Sequence, residues 1–372
     1  MTTSTINVLH VIGSAGFGGG ERYLLDLIRF SSDGKRHIVV MPQVGPMTEQ
    51  METAGNDYRI IAMPRIPSLT GVIRLLRLCH RKQVDIIHSH GYRANLYGRL
   101  LALLCRKPHV ATIHVSLYDY LETPPVIRQF YRLIEKWTAP VTRRFICISE
   151  AMANDIRMMG VDPGRIAIIE NGTDVKRFST DYVVKALKRK FEIQSRYPVI
   201  GTVGRLVTEK GQAFLIEALT ALKSDFPDLV CLFVGEGPLL EALQQQAMSA
   251  DVMEMCRFTG PVAEIDEIYA MLDLFVLPSL REPFGLAVLE AMASGIAVLA
   301  TDAGGPAEYI RTGLNGLLVP PGRPWEMAGA IRTVLSDRSL REKIATAGRQ
   351  TAIERFDIRE TVRRIEDVYA SL

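Results

Sequence analysis

Short apolar runs rich in β-branched residues alternate with helical stretches along nearly the whole chain, and that alternation leaves few folds open. Residues 6–13 form one such run, and residues 21–30 follow as a helix with Tyr23, Leu24, Leu27 and Ile28 on one stripe. Residues 37–41, 59–63, 85–88, 109–114, 144–148 and 166–170 continue the strand series. Strands that are apolar for most of their length and spaced by helices predict parallel sheets covered on both faces. After Asn171-Gly172 the grammar restarts. Residues 199–203, 230–234, 275–277 and 297–300 read as strands, and 211–222, 238–250, 286–293 and 324–335 as helices. A chain of 372 residues is long for one core and suits two domains. The expected architecture is α/β, with two Rossmann-like domains over residues 1–172 and 173–355 and a last helix over 356–372. Their parallel sheets are expected to face each other across a cleft. Open parallel sheets bind ligands at the carboxyl ends of their strands, so chemistry is expected on the loops that follow strands.

Composition removes several classes. The polar start, Met1 to Thr5, has none of the marks of a secretory signal, and no window approaches the roughly 20 apolar residues of a membrane-spanning helix. Five cysteines without a C-x-x-C spacing argue against a disulfide framework or a zinc site and for a reducing, cytoplasmic setting. The net charge of +3 hides an asymmetry. Residues 1–180 hold 23 Lys/Arg against 15 Asp/Glu, and the remainder 21 against 26. A nucleic-acid partner is not expected, because the basic half lacks an aromatic platform or a reading motif.

Three loops carry the chemistry. Gly13 to Gly20 packs five glycines into eight residues between a strand and a helix. Bare backbone N–H groups beside a helix start suit a phosphate or sugar. A dinucleotide fingerprint fails here: Gly16-x-Gly18-x-x-Glu21 puts a carboxylate where the third glycine should pack, and no acid ends the second strand. The second loop follows the first strand of the second half. There Arg205 and Lys210 flank a turn ending at Gly211, a planar fork and a point charge suited to a diphosphate. The third, Ser279 to Gly295, carries Glu282 in a loop and Glu290 as the one charged residue of an apolar helix. A lone buried carboxylate needs a hydrogen-bonding partner, which a ribose or a set of backbone amides could supply.

In their order along essentially the whole chain, these motifs resemble the retaining glycosyltransferases of family four, which have the two-Rossmann-domain fold called GT-B. The residues that carry the resemblance are Gly18-Gly19-x-Glu21, Thr112-Ile113-His114, Ile148-Ser149, Glu170-Asn171-Gly172-x-Asp174, Gly204-Arg205 with Lys210-Gly211, Val234-Gly235-x-Gly237, Phe258-Thr259-Gly260, and the Glu282/Glu290 pair. The resemblance implies sugar transfer from a nucleotide-sugar donor, a UDP-sugar first and a GDP-sugar as the alternative, with no further cofactor. Gly18 and Gly19 would approach donor phosphate and sugar, and His114 would face the sugar. Arg205 and Lys210 would neutralise the leaving diphosphate, and Glu282 would bind sugar hydroxyls. Backbone amides of Phe284, Gly285 and Leu286 would meet sugar or phosphate oxygens. Glu290 would hold the ribose, and Gly260, Pro261 and Val262 the base. In similar proteins the last helix crosses back to the N-terminal domain. The absence of Asp-x-Asp fits a metal-independent class, so no metal site is expected. A sugar-nucleotide epimerase, a phosphorylase and a non-catalytic nucleotide-sugar sensor are the rival readings.

The basic stretch points to the acceptor. Residues 59–107 hold ten Lys/Arg and a single acid, Asp85. Within it, residues 69–82 read as a helix with Arg74, Arg77 and Arg81 on one side and Val72, Ile73, Leu76 and Cys79 largely on the other. Residues 127–137 add Arg128, Arg132 and Lys136 beside Phe130, Tyr131 and Trp137. Basic and aromatic residues favour an anionic membrane interface. The expectation is a peripheral enzyme on the inner face of the membrane, acting on a glycan or lipid-linked acceptor in cell-surface polysaccharide assembly.

Overall fold

The computed structural model describes residues 5–16, 18–64, 67–116, 125–179, 182–194 and 196–372. Phe17 of the glycine loop, Arg65 of the basic stretch and residues 1–4 of the polar start lie outside the described residues. The chain divides into two units, Met1–Asn171 with Ile358–Leu372, and Gly172–Asp357.

The first unit is a seven-stranded sheet. Its strands are β1 (Ile6–Ile12), β2 (Lys35–Met41), β3 (Asp57–Ile60), β4 (Ile86–His90), β5 (His109–Ile113), β6 (Arg144–Cys147) and β7 (Ile166–Ile168). They run in the order β3-β2-β1-β4-β5-β6-β7, every pair parallel. The second is a six-stranded sheet of β8 (Val199–Val203), β9 (Val230–Val234), β10 (Cys256–Gly260), β11 (Leu274–Leu277), β12 (Val298–Thr301) and β13 (Leu317–Val319). Its order is β10-β9-β8-β11-β12-β13, again parallel throughout. In each sheet the winding reverses beside the first strand, between β1 and β4 and between β8 and β11. The loops leaving those strands therefore splay apart and open a crevice.

Three expectations need correction. The third strand is Asp57–Ile60 rather than 59–63. It is a sheet edge, so Ile61 and Met63, buried yet past its end, misplace it when burial is read as pairing. Strands β10 and β13 lie outside the strand series read from sequence, because Arg257 interrupts one and the other spans three residues. The helix Leu69–Arg81 buries Val72, Leu75, Leu78 and Cys79 and exposes Ile73 along with Arg74, Arg77 and Arg81.

The final helix, Ile358–Ala370, belongs to the first unit. Ile358, Val362, Ile365 and Tyr369 recur at helical spacing and are buried with Val8, Tyr23, Leu24 and Leu27 on one face of the sheet. Side chains of this size contribute about 1.5–3 kcal/mol each when fully buried. The opposite face is covered by the helices Leu69–Arg81 and Tyr92–Cys105. The helix Pro125–Thr138 packs beside the latter. Its rotation is set by Glu135, which turns inward to a buried ion pair with Arg99 at 2.8 Å. Arg99 also donates to Thr138 and Thr142. Outward, that leaves Val126, Phe130, Leu133 and Trp137, all exposed and spaced along one helical stripe.

Candidate active site

The second unit's crevice is built from the loops after β8 and β11. The first turns tightly at Gly211, whose φ of +65° favours glycine and where a Cβ would stand 2.1 Å from the Pro278 carbonyl oxygen. That approach lets the Leu280 N–H donate to the Glu209 carbonyl at 2.8 Å and binds the two loops together. The result is a contact between residues 72 positions apart: Lys210 Nζ lies 2.6 Å from Glu282 Oε2. Ser279, fully buried, donates its hydroxyl to the same oxygen at 3.1 Å. Glu282 is itself buried, and its backbone is anchored through Ala303 and Gly305. Arg205 sits on the same loop with an exposed side chain that makes no hydrogen bond or ion pair among the described residues. Lys210 is neutralised by Glu282, and Arg205 carries the uncompensated charge.

Glu290 lies in the helix Leu286–Ala293 and is 3% exposed. Its Oε2 accepts from the buried hydroxyl of Tyr269 at 2.8 Å. A protein hydroxyl therefore supplies a partner that a lone buried carboxylate demands. The helix is entered through Gly285 at φ +92°, with Phe284 buried before it and Leu286 half-buried after it. Tyr309 donates to the carbonyls of Phe284 and Gly285. First-turn N–H groups of a helix have no intrahelical acceptor, which suits them to anions. Gly260 ends β10, and its carbonyl accepts from the Gly235 N–H at 3.0 Å. Pro261 is exposed and Val262 half-buried beyond it.

In the first unit, Gly18 caps the helix Gly19–Phe30. Glu21 accepts from the Gly18 N–H at 3.0 Å and from the Ser14 hydroxyl at 2.5 Å, folding the glycine loop onto its own helix. A carboxylate in the first turn also suits the helix dipole. The residue that breaks the dinucleotide fingerprint is therefore a clamp of this loop. His114 follows β5 and meets the start of the same helix. A Cβ on Gly20 would lie 3.6 Å from its ring, and the Tyr23 ring stands edge-on at 4.8 Å. Burial holds the His114 imidazole down at about 4. The structure thus brings Gly18, Gly19 and His114 together in one unit, and Arg205, Lys210, Glu282 and the Phe284–Glu290 segment in the other.

Comparison with known proteins decides the family. The profile described as Glycosyl transferases group 1 matches residues 183–351, and that described as Glycosyltransferase Family 4 matches residues 17–177. Glycogen synthase of Mycobacterium tuberculosis is 30% identical over 297 residues, spanning 77% of this chain and 68% of that protein. The chain is a group 1 glycosyltransferase of the GT-B fold. Another relative of this glycosyltransferase is the Escherichia coli UDP-Gal:α-D-GlcNAc-diphosphoundecaprenol α-1,3-galactosyltransferase. It is 26% identical over 382 residues, spanning 100% of this chain and 98% of that protein. Among solved structures, Anabaena HepE in complex with UDP and glucose has a TM-score of 0.90 at 25% identity, with 99% of this chain and 100% of that chain covered.

Sequence reasoning missed Tyr269, Ser279 and Tyr309 in this glycosyltransferase. Tyr269 and Tyr309 act on a carboxylate and on carbonyls more than about twenty residues away, a proximity only the fold supplies, while Ser279 acts on a carboxylate of its own loop. Glu21 was legible as a helix-start acid three residues after Gly18, a capping pattern that the fingerprint test overlooked.

Proposed function

We propose that the enzyme transfers a hexose or N-acetylhexosamine from a UDP-sugar to a lipid-linked glycan, retaining the anomeric configuration and using no metal. The observation that carries this reading is the group formed by Arg205, Lys210, Glu282 and Ser279 at the reversal of the second sheet. It couples a free cation for a diphosphate to a carboxylate fixed to meet hydroxyls. Support for the donor comes from HepE, solved with UDP and glucose, and from the E. coli relative, whose name states a UDP-galactose donor and a diphosphoundecaprenol-linked acceptor.

In this reading the sugar C1–O bond breaks toward the UDP while the acceptor oxygen attacks on the same face. The departing phosphate takes the acceptor's proton. Arg205 and Lys210 stabilise the charge gathering on the diphosphate. Glu282 accepts from sugar hydroxyls, and Glu290, oriented by Tyr269, from the ribose. Gly260, Pro261 and Val262 hold the base, and the Phe284, Gly285 and Leu286 amides meet sugar or phosphate oxygens. Gly18, Gly19 and His114 contact the donor from the first unit. The test is transfer from UDP-glucose, UDP-galactose and their N-acetyl forms to a polyprenyl-diphosphate-linked GlcNAc in EDTA, with the product anomer read by NMR. An α-linked product is expected. A β-linked product, or activity that returns only with added Mg²⁺, overturns the mechanism.

The two glutamates should separate binding from transfer. Glu290→Gln should weaken UDP binding about tenfold by calorimetry, the scale of one charge-assisted hydrogen bond. Glu282→Gln should leave UDP binding unchanged and slow transfer. The opposite pattern would show their roles exchanged.

Among the described residues, no helix is long and apolar enough to cross a membrane. Contact with an anionic inner leaflet is proposed instead through the helix Pro125–Thr138. Its outward Val126, Phe130, Leu133 and Trp137 form an apolar stripe, and the helix Leu69–Arg81 of the same unit exposes Arg74, Arg77 and Arg81. Each basic residue near such a surface contributes about 1 kcal/mol, and apolar burial adds to it. The protein should sediment with anionic liposomes and be released by salt. Phe130→Ser with Trp137→Ser should cut that binding at least about tenfold. Equal binding to neutral vesicles, or none, would favour a soluble acceptor.

A further inference from the structure

Five of the chain's seven histidines meet on one face of the first sheet. His10 lies on β1, His37 on β2, His88 and His90 on β4, and His114 just past β5. Each alternates with residues such as Val8, Ile12, Val39, Met41, Ile86 and Val110, which face the helices Gly19–Phe30 and Ile358–Ala370. Four of them form a continuous hydrogen-bonded line. His114 Nε2 meets His90 Nδ1 at 3.3 Å, His90 Nε2 meets His10 Nδ1 at 3.1 Å, and His10 Nε2 meets His37 Nδ1 at 2.8 Å. His37 Nε2 then meets the Ser31 hydroxyl at 2.9 Å, and Ser31 donates to Glu366 Oε1 at 2.9 Å. Glu366 is on the last helix. It also accepts from the Ser32 N–H and hydroxyl and pairs with Lys35.

This line has a direction. A carboxylate only accepts, and a neutral imidazole donates through one nitrogen and accepts through the other. Ser31 gives its single proton to Glu366, so its oxygen must accept from His37 Nε2–H. His37 Nδ1 then accepts from His10 Nε2–H, His10 Nδ1 from His90 Nε2–H, and His90 Nδ1 from His114 Nε2–H. We propose that Glu366, acting through Ser31, His37, His10 and His90, locks His114 in its Nε2–H tautomer and leaves Nδ1 as a hydrogen-bond acceptor. The part of the donor that meets Nδ1 of His114 must then bring a hydroxyl or an N–H, not a carbonyl. That consequence rests on the donor-site reading of His114 given above; the tautomer does not.

The rings stay uncharged, as the line requires, because burial lowers His10, His90 and His114 and, against the pull of Glu366, His37. Burial also opposes charge on Glu366, but hydrogen bonds from Ser32, Ser31 and Lys35 hold its carboxyl below the ordinary value. A metal is a weaker account of the cluster. His10, His88 and His90 place ring nitrogens within 4.8 Å of one another. Yet His88 is bonded through both nitrogens to Tyr369 and Thr112, and His10 and His90 are spent along the line.

Long-range ¹H–¹⁵N spectra of the full chain, labelled at histidine and recorded near pH 7.5, read the tautomer directly. The expected result is a single Nε2–H form for His114. Ser31→Ala cuts the line but leaves Glu366 anchored by Ser32; it should give mixed tautomers and about tenfold slower transfer, at nearly unchanged KM for the donor. Ser31→Thr, which keeps the hydroxyl, should restore both. An Nδ1–H form in the wild type, or an unchanged Ser31→Ala spectrum, would sink the proposal. An inert enzyme with the expected spectrum would count against the transferase reading alone.

Discussion

Lys210→Ala should lower turnover about 10²–10³-fold, the usual cost of removing one stabiliser of transition-state charge. Arg205→Ala should match it in rate but differ in stability. The Arg205 side chain is exposed and makes no bond among the described residues, so its loss should leave the melting temperature in place. Lys210 is the cation that compensates Glu282, a carboxylate 7% exposed. Removing one partner of such a pair strands a charge, at about 3–5 kcal/mol for a fully buried pair and less here, where Lys210 reaches solvent. Lys210→Ala should therefore also melt several degrees lower. Lys210→Met with Glu282→Gln should regain most of that Tm and stay inactive. The Arg205/Lys210 double replacement should be less than additive, because both act on one developing charge. Steady-state kinetics and thermal melts check each variant. Full activity in both single variants would end the assignment.

Acid should open the first unit before the second. All seven histidines lie between His10 and His114, and the second unit has none. Burial holds His37 and His114 down at about 4, and His10, His88, His90 and His109 well below 6.5. Between pH 6.5 and 4 the unfolded chain binds protons that the folded unit refuses, so stability falls as pH falls. One such ring with a folded value near 4 loses about 2 kcal/mol by pH 5. Charges facing the cluster modify this: Glu366 favours protonation, Lys35 and Arg99 oppose it, and Tyr23 and Tyr369 stay neutral throughout the range. The rings titrate as a coupled set, so their losses do not simply add. Several kcal/mol is still a large share of the roughly 5–15 kcal/mol that holds a domain. Hydrogen exchange at pH 7.5 and 5 should show β1 and β4 losing protection while β8 and β9 keep theirs. Equal loss in both units would refute the account.

The fold was legible because a strand buried on both faces must be apolar for most of its length, as β1, β8, β9 and the Ile38–Met41 part of β2 are. Strand β3 was blurred by being an edge, where the half-buried Asp57 and Tyr58 open the strand while the buried Ile61 and Met63 lie past its end. The loops of the candidate site were legible through glycine, Arg205, Lys210 and Glu282, since special backbone and clustered charge show in sequence. Their pairing was not. Lys210 and Glu282, or Glu290 and Tyr269, meet only once the strand order is known. Helical periodicity showed that residues 127–137 are amphipathic but could not say which side faces inward. Glu135 decides that, by finding Arg99 on another helix. The histidines were each visible, but their common face depends on the register of four strands.

The last helix gives synthesis an order. When Asn171 leaves the ribosome, the first unit has every strand but lacks Ile358, Val362, Ile365 and Tyr369 from its core. Roughly two hundred more residues must be made, which at about 5–20 residues per second takes about 10–40 s. For that interval Tyr23, Leu24 and Leu27 stand beside a vacant groove, His88 has no Tyr369, and Ser31 has no Glu366. The unit begun first is finished last. A ribosome stalled late in the message leaves a complete second unit tethered to an open first one, a natural client for a chaperone.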